Sequence, residues 1–389
     1  MQQIRNNILS WCKDLEMGAL EQAINVSELD CLVGNFCLMP DAHEGFGMPI
    51  GGVAALKDAI CPNMVGVDIG CGMLAVKTSL KRINPVDIKK ILGGGKGYKG
   101  GLRSRIPLGM HHHEDRQIHP IFDEVDMWRA APIAFQELDS AAKQIGTLGG
   151  GNHFIEIQKA SDGHIWFMIH SGSRNLGYKV ADHYNRLARE IQKDRQDLLK
   201  ARLAYLKAGS DEFELYIREM NLCMRFAYEN RKMMAEAVKS EFQKYLKKVE
   251  FLDEINIHHN FASYEKHFGE KVWVHRKGAT LASKETIGII PGSQGAASYI
   301  VQGLGCPASF ESCSHGAGRK ISRKKALEVL DLKREQKKLN DLGVIHALYH
   351  KSGLDEAPSA YKDIELVMRQ QEDLAAILIR LTPLAVVKG

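Results

Sequence analysis

The chain has 389 residues, of which 44% are hydrophobic and 25% charged, a composition typical of a soluble globular protein and not of a disordered one. Its formal net charge of +5 permits an acidic partner such as nucleic acid but does not require one. No run approaches the roughly 18 consecutive apolar residues of a membrane helix, and the first residues lack the apolar core of a secretory signal, so we expect a soluble cytoplasmic protein with no membrane partner.

Short strands joined by glycine-rich turns are predicted over much of the first half of the chain. Each predicted strand is a short run of apolar and β-branched residues, and the last two are separated by the turn-forming sequence SDG. The predicted strands are residues 32–40, 50–56, 73–80, 152–158 and 164–173.

Residues 93–119 are rich in glycine and basic side chains and include three consecutive histidines at 111–113. We interpret this segment as a mobile loop, either a solvated linker or a flap that closes over a substrate. The eight cysteines contain no CxxC pair, which argues against a disulfide framework or a structural zinc knuckle.

Long amphipathic helices are predicted from Ala181 to about Lys248, with Ser210 as an N-cap before Asp211 and Glu212. Strands and turns return over residues 250–318. A basic helical region then follows over 319–350, and a last helix near 362–380 is predicted to lead into a hydrophobic tail. We predict one catalytic domain over residues 1–389 with a helical insertion at about 181–250, in preference to two independent domains.

Side chains with metal-ligating chemistry recur at glycine turns and strand ends. Taken alone, the sequence GVDIGCGM favours a turn with a buried free cysteine, but several further histidines occur at predicted strand edges. A carboxylate, a thiolate and imidazoles together predict a metal site, and five ligands favour two ions, since tetrahedral zinc rarely uses more than four. The candidates are Asp68, Cys71, His153, His170 and a histidine of the pair His258 and His259.

Paired metals typically clamp the oxygens of a phosphoryl group during its transfer. The glycine turns PGSQG at 291–295 and RKGAT at 276–280 are candidate phosphate contacts. The sequence CSHGAGR at 313–319 adds His315, which spacing alone leaves open as a metal ligand, a proton carrier, a nucleophile or the cap of the following basic helix.

Eight motifs, in order along the chain, together resemble the RtcB family of GTP-dependent RNA ligases. The resemblance extends from residue 39 to the terminal KG. The motifs are PDAHEGFG, GVDIGCGM, GTLGGGNHFIEI, HSGSR, EINIHHN, PGSQG, SCSHGAGR and AYKDI.

The resemblance implies an α+β fold with stacked mixed β-sheets flanked by helices, and a site that binds two Mn²⁺ ions and GTP. The implied metal ligands are Asp68, Cys71, His153, His170 and His259, with the Cys71 thiolate bridging the ions. His259 is chosen over His258 because the family's ligand directly precedes an asparagine. His315 is the implied nucleophile, which becomes guanylated.

The resemblance also implies a set of nucleotide contacts, with Asp41 and Tyr361 holding the guanine. The implied contacts are Asp41, Asn152, Glu156, Asn260, Pro291, Ser293, Gly316, Ala317, Gly318, Tyr361 and Lys388. Four basic residues, Arg174, Arg276, Lys277 and Arg319, are either RNA phosphate contacts or solvated surface charges.

The implied activity joins an RNA 2′,3′-cyclic phosphate or 3′-phosphate end to a 5′-hydroxyl end. Broken or cleaved tRNA or rRNA is the expected substrate, an accessory activator is a candidate partner, and a monomer is the expected state. The segment 93–119 and the helical insertion depart from the family pattern, so we expect both to bear on the choice of RNA. The alternatives are a dinuclear metal phosphodiesterase that acts on cyclic phosphate ends without GTP, and a non-catalytic RNA-binding or metal-sequestering relative.

Overall fold

The computed structural model describes residues 1–93 and 100–389. Its strands are β1 (Gln2–Arg5), β2 (Ile8–Ser10), β3 (Leu32–Phe46), β4 (Met48–Leu56), β5 (Ala59–Ile60), β6 (Gly72–Thr78), β7 (Phe154–Ala160), β8 (Ile165–Ser171), β9 (Leu206–Lys207), β10 (Phe251–His258), β11 (Asn260–His267), β12 (Glu270–Lys277), β13 (Ala279–Leu281), β14 (Ile287–Ile290), β15 (Ser298–Gly303), β16 (Ser312–Ser314) and β17 (Ala375–Lys388).

The α-helices are α1 (Met17–Ser27), α2 (Pro62–Val65), α3 (Pro85–Leu92), α4 (Leu102–Arg105), α5 (Val125–Arg129), α6 (Pro132–Gln136), α7 (Leu138–Gln144), α8 (Arg174–Ile191), α9 (Gln196–Ala201), α10 (Asp211–Tyr245), α11 (Arg323–Val329), α12 (Leu332–Asp341) and α13 (Ile364–Arg369). Short 3₁₀ turns cover Pro120–Phe122, Pro307–Ser309, Lys351–Glu356 and Pro358–Ala360.

Two large sheets organise the molecule. One has the strand order β1-β2-β3-β4-β12-β11, and its β2–β3 pair is parallel while the other pairs are antiparallel. The other has the order β10-β6-β8-β7-β17-β15-β14, with every pair antiparallel. The mixture of helices with these sheets confirms the predicted α+β class.

Apolar side chains from both sheets share one core. Val53 and Val274 of the six-stranded sheet pack in the same cluster as Ile290 and Tyr299 of the seven-stranded sheet. Helix α10 covers another part of the seven-stranded sheet, where its Phe242 meets Phe167 at 5.6 Å between ring centroids. The long helix predicted after Ser210 is confirmed as α10. The predicted cap is confirmed as well, because the Ser210 hydroxyl accepts the N–H of Phe213.

The predicted last helix near 362–380 is wrong over most of its length. Helix α13 ends at Arg369, and Ala375–Lys388 forms the long strand β17 between β7 and β15. The run AAILIRL contains one polar residue, and a short apolar run of this kind does not distinguish a strand from a helix. Pairing with strands on both sides decides in favour of the strand.

The prediction of a mobile loop over 93–119 is also partly wrong. Residues 94–99 lie outside the described part of the chain, but Leu102 and Ile106 are 1% exposed and belong to the core beneath the seven-stranded sheet. His111 and His112 are exposed, in line with a solvated surface. Among the described helices, none combines the length and hydrophobicity that a membrane span requires.

Candidate active site

Five predicted metal-ligating side chains converge at the ends of β6, β7, β8 and β10, and we call them the ligand cluster: Asp68, Cys71, His153, His170 and His259. The Cys71 Sγ atom lies 3.4 Å from His153 Nε2 and 3.3 Å from His170 Nε2. His170 Nε2 lies 3.3 Å from His259 Nε2, and Asp68 Oδ2 lies 3.1 Å from His153 Nε2. Cys71, His153 and His170 are buried and mutually close enough to hold one ion.

Hydrogen bonds to the opposite ring nitrogens fix how two of these histidines point. His153 Nδ1 donates to the Leu148 carbonyl over 2.9 Å, and His170 Nδ1 donates to the Asn152 carbonyl over 3.1 Å. In a neutral ring, this places the lone pair on Nε2, toward the cluster. Burial, with the neighbouring His153 and His315, holds the pKa of His170 well below its usual value, so this ring stays neutral.

Lone pairs, a carboxylate and a thiol that all point at one another leave a surplus of acceptors. A cation resolves that surplus, and nitrogen, sulfur and oxygen ligands together suit a borderline divalent metal. The ligand cluster therefore fits a metal site on its own geometry.

Backbone bonds between the strand ends hold the cluster together. The His259 amide donates to the Cys71 carbonyl over 2.8 Å, and the Gly70 amide donates to the Asn260 carbonyl over 2.8 Å. The Ser173 amide donates to Asp68 Oδ1 over 3.1 Å. Backbone hydrogen bonds between neighbouring chain segments thus hold together ligands that are far apart in the sequence.

His315 lies beside the cluster and is oriented by Asp41. The ring centroids of His315 and His259 are 4.8 Å apart, and His315 Nδ1 lies 2.7 Å from Asp41 Oδ2. The same oxygen accepts the backbone amides of His315 and Gly316 over 3.1 and 3.2 Å. The Asp41 side chain is fully buried, whereas that of His315 is 14% exposed. His315 therefore presents its Nε2 edge while Asp41 holds Nδ1.

Two glycines make this close approach possible. Gly318 has φ +72°, and a Cβ there would lie 2.3 Å from the Asp41 carbonyl oxygen. Gly278 has φ +60°, and its Cβ would lie 2.9 Å from His315 Cε1. Any side chain at either position would clash as well as adopt a left-handed conformation.

A cavity of about 860 Å³, including its open mouth, adjoins His315 and His170. Its lining includes nine of the predicted nucleotide contacts: Asn152, Glu156, Pro291, Ser293, Gly316, Ala317, Gly318, Tyr361 and Lys388.

One wall of the cavity is a charged cluster centred on Glu356, which we call the Glu356 network: Arg319, Arg323, Glu356, Tyr361 and Lys388. Glu356 accepts from Lys388 Nζ over 2.9 Å and from the Tyr361 hydroxyl over 2.5 Å. Arg323 and Arg319 approach the same carboxylate at 2.5 and 3.3 Å. Burial alone would raise the pKa of Glu356, but Lys388 and Arg323 outweigh it and lower that pKa below its usual value.

Glu156 is the other buried carboxyl of the cavity. Burial raises its pKa to about 8, although a hydrogen bond from Gln158 and the charge of Lys388 act in the opposite direction. Asn152 is exposed at the rim, and its carbonyl accepts from His170.

Two predicted nucleotide contacts lie outside the cavity lining. Asp41 Oδ2 lies 2.7 Å from His315 Nδ1, and the buried side chain is not part of the cavity lining, so its contact with a guanine stays a prediction. The Asn260 amide donates to the Asp68 carbonyl over 3.2 Å and accepts from the Gly278 amide over 2.8 Å. Asn260 thus links the ligand cluster to the turn beneath His315.

The prediction that Arg276 and Lys277 contact RNA phosphates or lie at the surface is also wrong. Arg276 is fully buried against Glu265 and Ser312. Lys277 donates to the carbonyls of Phe46 and Asn63, and burial lowers its pKa to about 8. Both side chains already have partners inside the fold.

Sequence reasoning missed Glu356 and Arg323. Glu356 lies in a short 3₁₀ turn without a recognisable motif, and Arg323 opens the basic helix α11 that reads as a solvated face. The one available signal is the position of Arg323 shortly after CSHGAGR.

Buried sulfur and nitrogen ligands beside a cavity form a site that could hold a metal ion next to a small molecule. The family model described as tRNA-splicing ligase RtcB matches residues 22–389. The chain is 36% identical to the RNA-splicing ligase RtcB of Escherichia coli (strain K12), over 97% of this chain and 96% of that protein. It is 34% identical to the tRNA-splicing ligase RtcB of Nanoarchaeum equitans, over 95% and 91% of the two chains. The chain belongs to the RtcB family of RNA-splicing ligases.

Proposed function

We propose that the protein joins RNA 2′,3′-cyclic phosphate or 3′-phosphate ends to 5′-hydroxyl ends, using GTP and manganese, through a GMP adduct on His315. The observation that supports this most is the position of His315, held at Nδ1 by buried Asp41, between the ligand cluster and the cavity. In a purely hydrolytic metal site the same histidine would act only as a general acid or base and would form no covalent adduct.

Asp41 prepares His315 as the nucleophile. Because the carboxylate accepts the Nδ1 proton, the Nε2 lone pair is free to attack the α-phosphorus of GTP, forming a P–N bond as pyrophosphate leaves. The imidazolium that forms is then stabilised by the Asp41 negative charge. The Gly316 amide already donates to Asp41, so in this proposal the amides of Ala317 and Gly318 are the ones left to donate to the phosphate.

The later steps use the RNA ends. Water opens a cyclic end to a 3′-phosphate, an oxygen of which attacks the phosphorus on His315 and takes the GMP, so that the P–N bond breaks. The 5′-hydroxyl then attacks the activated 3′-phosphate, GMP leaves, and a 3′,5′ bond forms. Manganese, when held by Asp68, Cys71, His153, His170 and His259, supplies positive charge for the phosphate oxygens.

The Glu356 network provides the nucleotide side of the site. Lys388 and Tyr361 are each fixed by Glu356 at the cavity wall, which positions an amine and a hydroxyl to recognise the guanine. Arg319 lies 5.1 Å over the Tyr361 ring and keeps that wall rigid. Asn152, Glu156 and Ser293 complete the polar lining.

The test is transfer of label from α-labelled GTP to the protein in the presence of manganese. We expect an acid-labile protein adduct in the wild type, none in His315→Ala, and a normal one in the exposed control His112→Ala. An adduct that persists in His315→Ala would overturn the proposal. Hydrolysis of a cyclic phosphate end at an undiminished rate without GTP or His315 would favour the phosphodiesterase alternative.

We further propose that the natural substrate is broken tRNA or rRNA, acted on in repair. RNA crosslinked to the protein after exposure of cells to a ribonuclease toxin is expected to contain cleaved tRNA or rRNA. Recovery of intact intron-bearing tRNA precursors alone would contradict this.

A further inference from the structure

Two neighbouring polar residues at the centre of helix α10, Asn230 and Arg231, are fully buried and lie behind the ligand cluster. We propose that they are positioning residues of the metal site, which hold three ligand-bearing turns at the spacing that metal binding needs. The helical insertion is then a structural part of the metal site and not only a surface that selects RNA. This inference rests on the proposed metal binding by the ligand cluster.

Arg231 links two of these turns through their backbone carbonyls. Its Nη1 donates to the Gly70 carbonyl over 3.0 Å and to the Ser171 carbonyl over 2.9 Å. Gly70 immediately precedes Cys71, and Ser171 immediately follows His170. One guanidinium nitrogen therefore ties together the chain segments that carry the sulfur and an imidazole.

The rest of the guanidinium fixes its own orientation. Its Nε donates to Asn256 Oδ1 over 2.7 Å, and Nη2 lies 3.3 Å from His258 Nδ1. Both partners are on β10, the strand that ends next to His259. The planar fork of arginine suits this task, since it spans several acceptors at fixed angles.

Asn230 links the third turn to the second. Its Oδ1 accepts the amides of Gly146 and Thr147 over 2.7 and 3.1 Å. Its Nδ2 donates to the carbonyls of Thr147 and Gly172 over 3.2 and 3.0 Å. The turn that begins at Gly146 leads directly to His153.

A hydroxyl relays this hold to a ligand. Asn230 Nδ2 also lies 3.2 Å from Ser171 Oγ, which donates to the Leu148 carbonyl over 2.8 Å. That carbonyl is the one that accepts from His153 Nδ1 and so fixes the direction of its lone pair. The hydrogen bond from Asn230 of α10 to Ser171 thus helps to fix the orientation of the His153 ring.

Burial of the Arg231 charge and the Asn230 amide costs free energy of desolvation. The described contacts of Arg231 include no carboxylate, and a buried charge without a counter-ion is strongly unfavourable. The acidic side chains whose charge acts on Arg231 include Asp68, which is itself a member of the ligand cluster. Apolar residues would fill the same space without that cost, but they would leave the carbonyls of Gly70 and Ser171 without a donor.

Losing an outer partner of a metal ligand typically weakens metal affinity by about 10–100-fold. We expect losses of that size in Arg231→Met and Asn230→Leu, measured by titration of the full chain with Mn²⁺ alone. Arg231→Lys keeps one donor and the charge, so its affinity is expected to lie between those of Met and arginine. The cysteine-to-cobalt absorption of the Co²⁺-loaded protein is expected to shift in the same order.

Glu219→Gln is the matched control. Glu219 is also fully buried on α10, but it accepts the amides of Ile133 and Ala134, at a distance from the ligand cluster. We expect this variant to unfold at a lower temperature and to retain wild-type Mn²⁺ affinity. Should Arg231→Met fail to fold, Ser171→Ala removes only the relay hydroxyl and is expected to weaken Mn²⁺ binding as well.

Unchanged Mn²⁺ affinity in the Arg231 and Asn230 variants, with stability losses like that of Glu219→Gln, would overturn the inference. A wild-type protein that binds no Mn²⁺ would instead overturn the metal site of the proposed function.

Discussion

The ligand cluster and the Glu356 network face the same cavity, but they are electrostatically opposite. In the cluster, imidazole lone pairs and a thiol point directly at one another, so the cluster is suited to take up a positive ion. In the network, the Glu356 carboxylate already balances the charges of Lys388 and Arg323. A ligand that contacts these two cations would therefore share them with Glu356. The first region could hold an ion, whereas the second presents charged and polar side chains that are fixed by one another at the cavity wall.

The largest effect is expected at Asp41, which lies between the two regions. In Asp41→Asn the side chain keeps its size but loses its negative charge. It can then neither hold the Nδ1 proton nor stabilise the imidazolium. By analogy with a catalytic triad, we expect the rate of His315 guanylation to fall about 10²–10⁴-fold. Single-turnover labelling with GTP measures this rate.

The exposed pair partner of Lys362, Asp14, provides the control. Asp14→Asn is expected to label at the wild-type rate. Equal rates in Asp41→Asn and the wild type would show that Asp41 does not orient the nucleophile.

A smaller and more specific effect is expected in the Glu356 network. Glu356→Gln removes the charge that fixes Lys388 and Tyr361, so we expect the KM for GTP to rise about tenfold, or ~1.4 kcal/mol of binding, with a smaller change in kcat. Steady-state ligation over a range of GTP concentrations separates the two. Asp341→Asn, which removes an exposed pair with Lys337, is the control, and an equal rise in KM there would refute a special role of Glu356.

The third expectation concerns pH and Glu156. Because burial raises its pKa to about 8, the folded protein retains a proton that the unfolded chain releases from about 4.5 upward. This carboxyl therefore lowers the free energy of unfolding as pH rises through that window. Glu156→Gln does not titrate, so we expect its stability to fall by roughly 1–3 kcal/mol less than that of the wild type between pH 6 and 8.

Urea unfolding at a series of pH values measures that difference. The exposed Glu372→Gln is expected to follow the wild-type curve. Parallel curves for Glu156→Gln and the wild type would show that Glu156 is ionised in the folded protein at pH 6.

The smallest effect is expected at the start of α10. Ser210→Ala removes the cap on the Phe213 amide and is expected to cost about 1 kcal/mol of stability without changing Mn²⁺ affinity. Ser210→Gly is expected to cost only a few tenths of that. A loss of Mn²⁺ affinity in either variant would mean that the whole helix, and not Asn230 and Arg231 alone, determines the ligand spacing.

Site residues could be predicted from the sequence where a metal-ligating side chain occurs next to a recognisable turn. Asp68, Cys71, His153 and His170 each lie beside a glycine turn or a strand end, and the structure brings them together. The α+β class and the Ser210 cap follow from equally local patterns. The placement of Asp41 against His315 depends on a contact between distant segments, which no local spacing encodes.

Strand β17 and Glu356 illustrate the same limit. The apolar run of β17 fits a helix as well as a strand until β7 and β15 pair with its two edges. Glu356 is recognisable as a site residue only from its contacts with four side chains, which are Arg319, Arg323, Tyr361 and Lys388. The roles proposed for His315, the metal ligands and the nucleotide contacts remain predictions until they are measured.

The buried thiol of the ligand cluster makes metal uptake an acid–base reaction. Burial, then the adjacent Asp68 charge, raises the pKa of Cys71 well above its usual value, so the metal-free protein carries a thiol at neutral pH. The pKa of His170 and of His259 is lowered instead, so these rings are already neutral and release no proton when a metal binds. Binding should therefore expel the Cys71 proton into the buffer, so that the heat of binding depends on the buffer's ionisation enthalpy and acid competes with the ion.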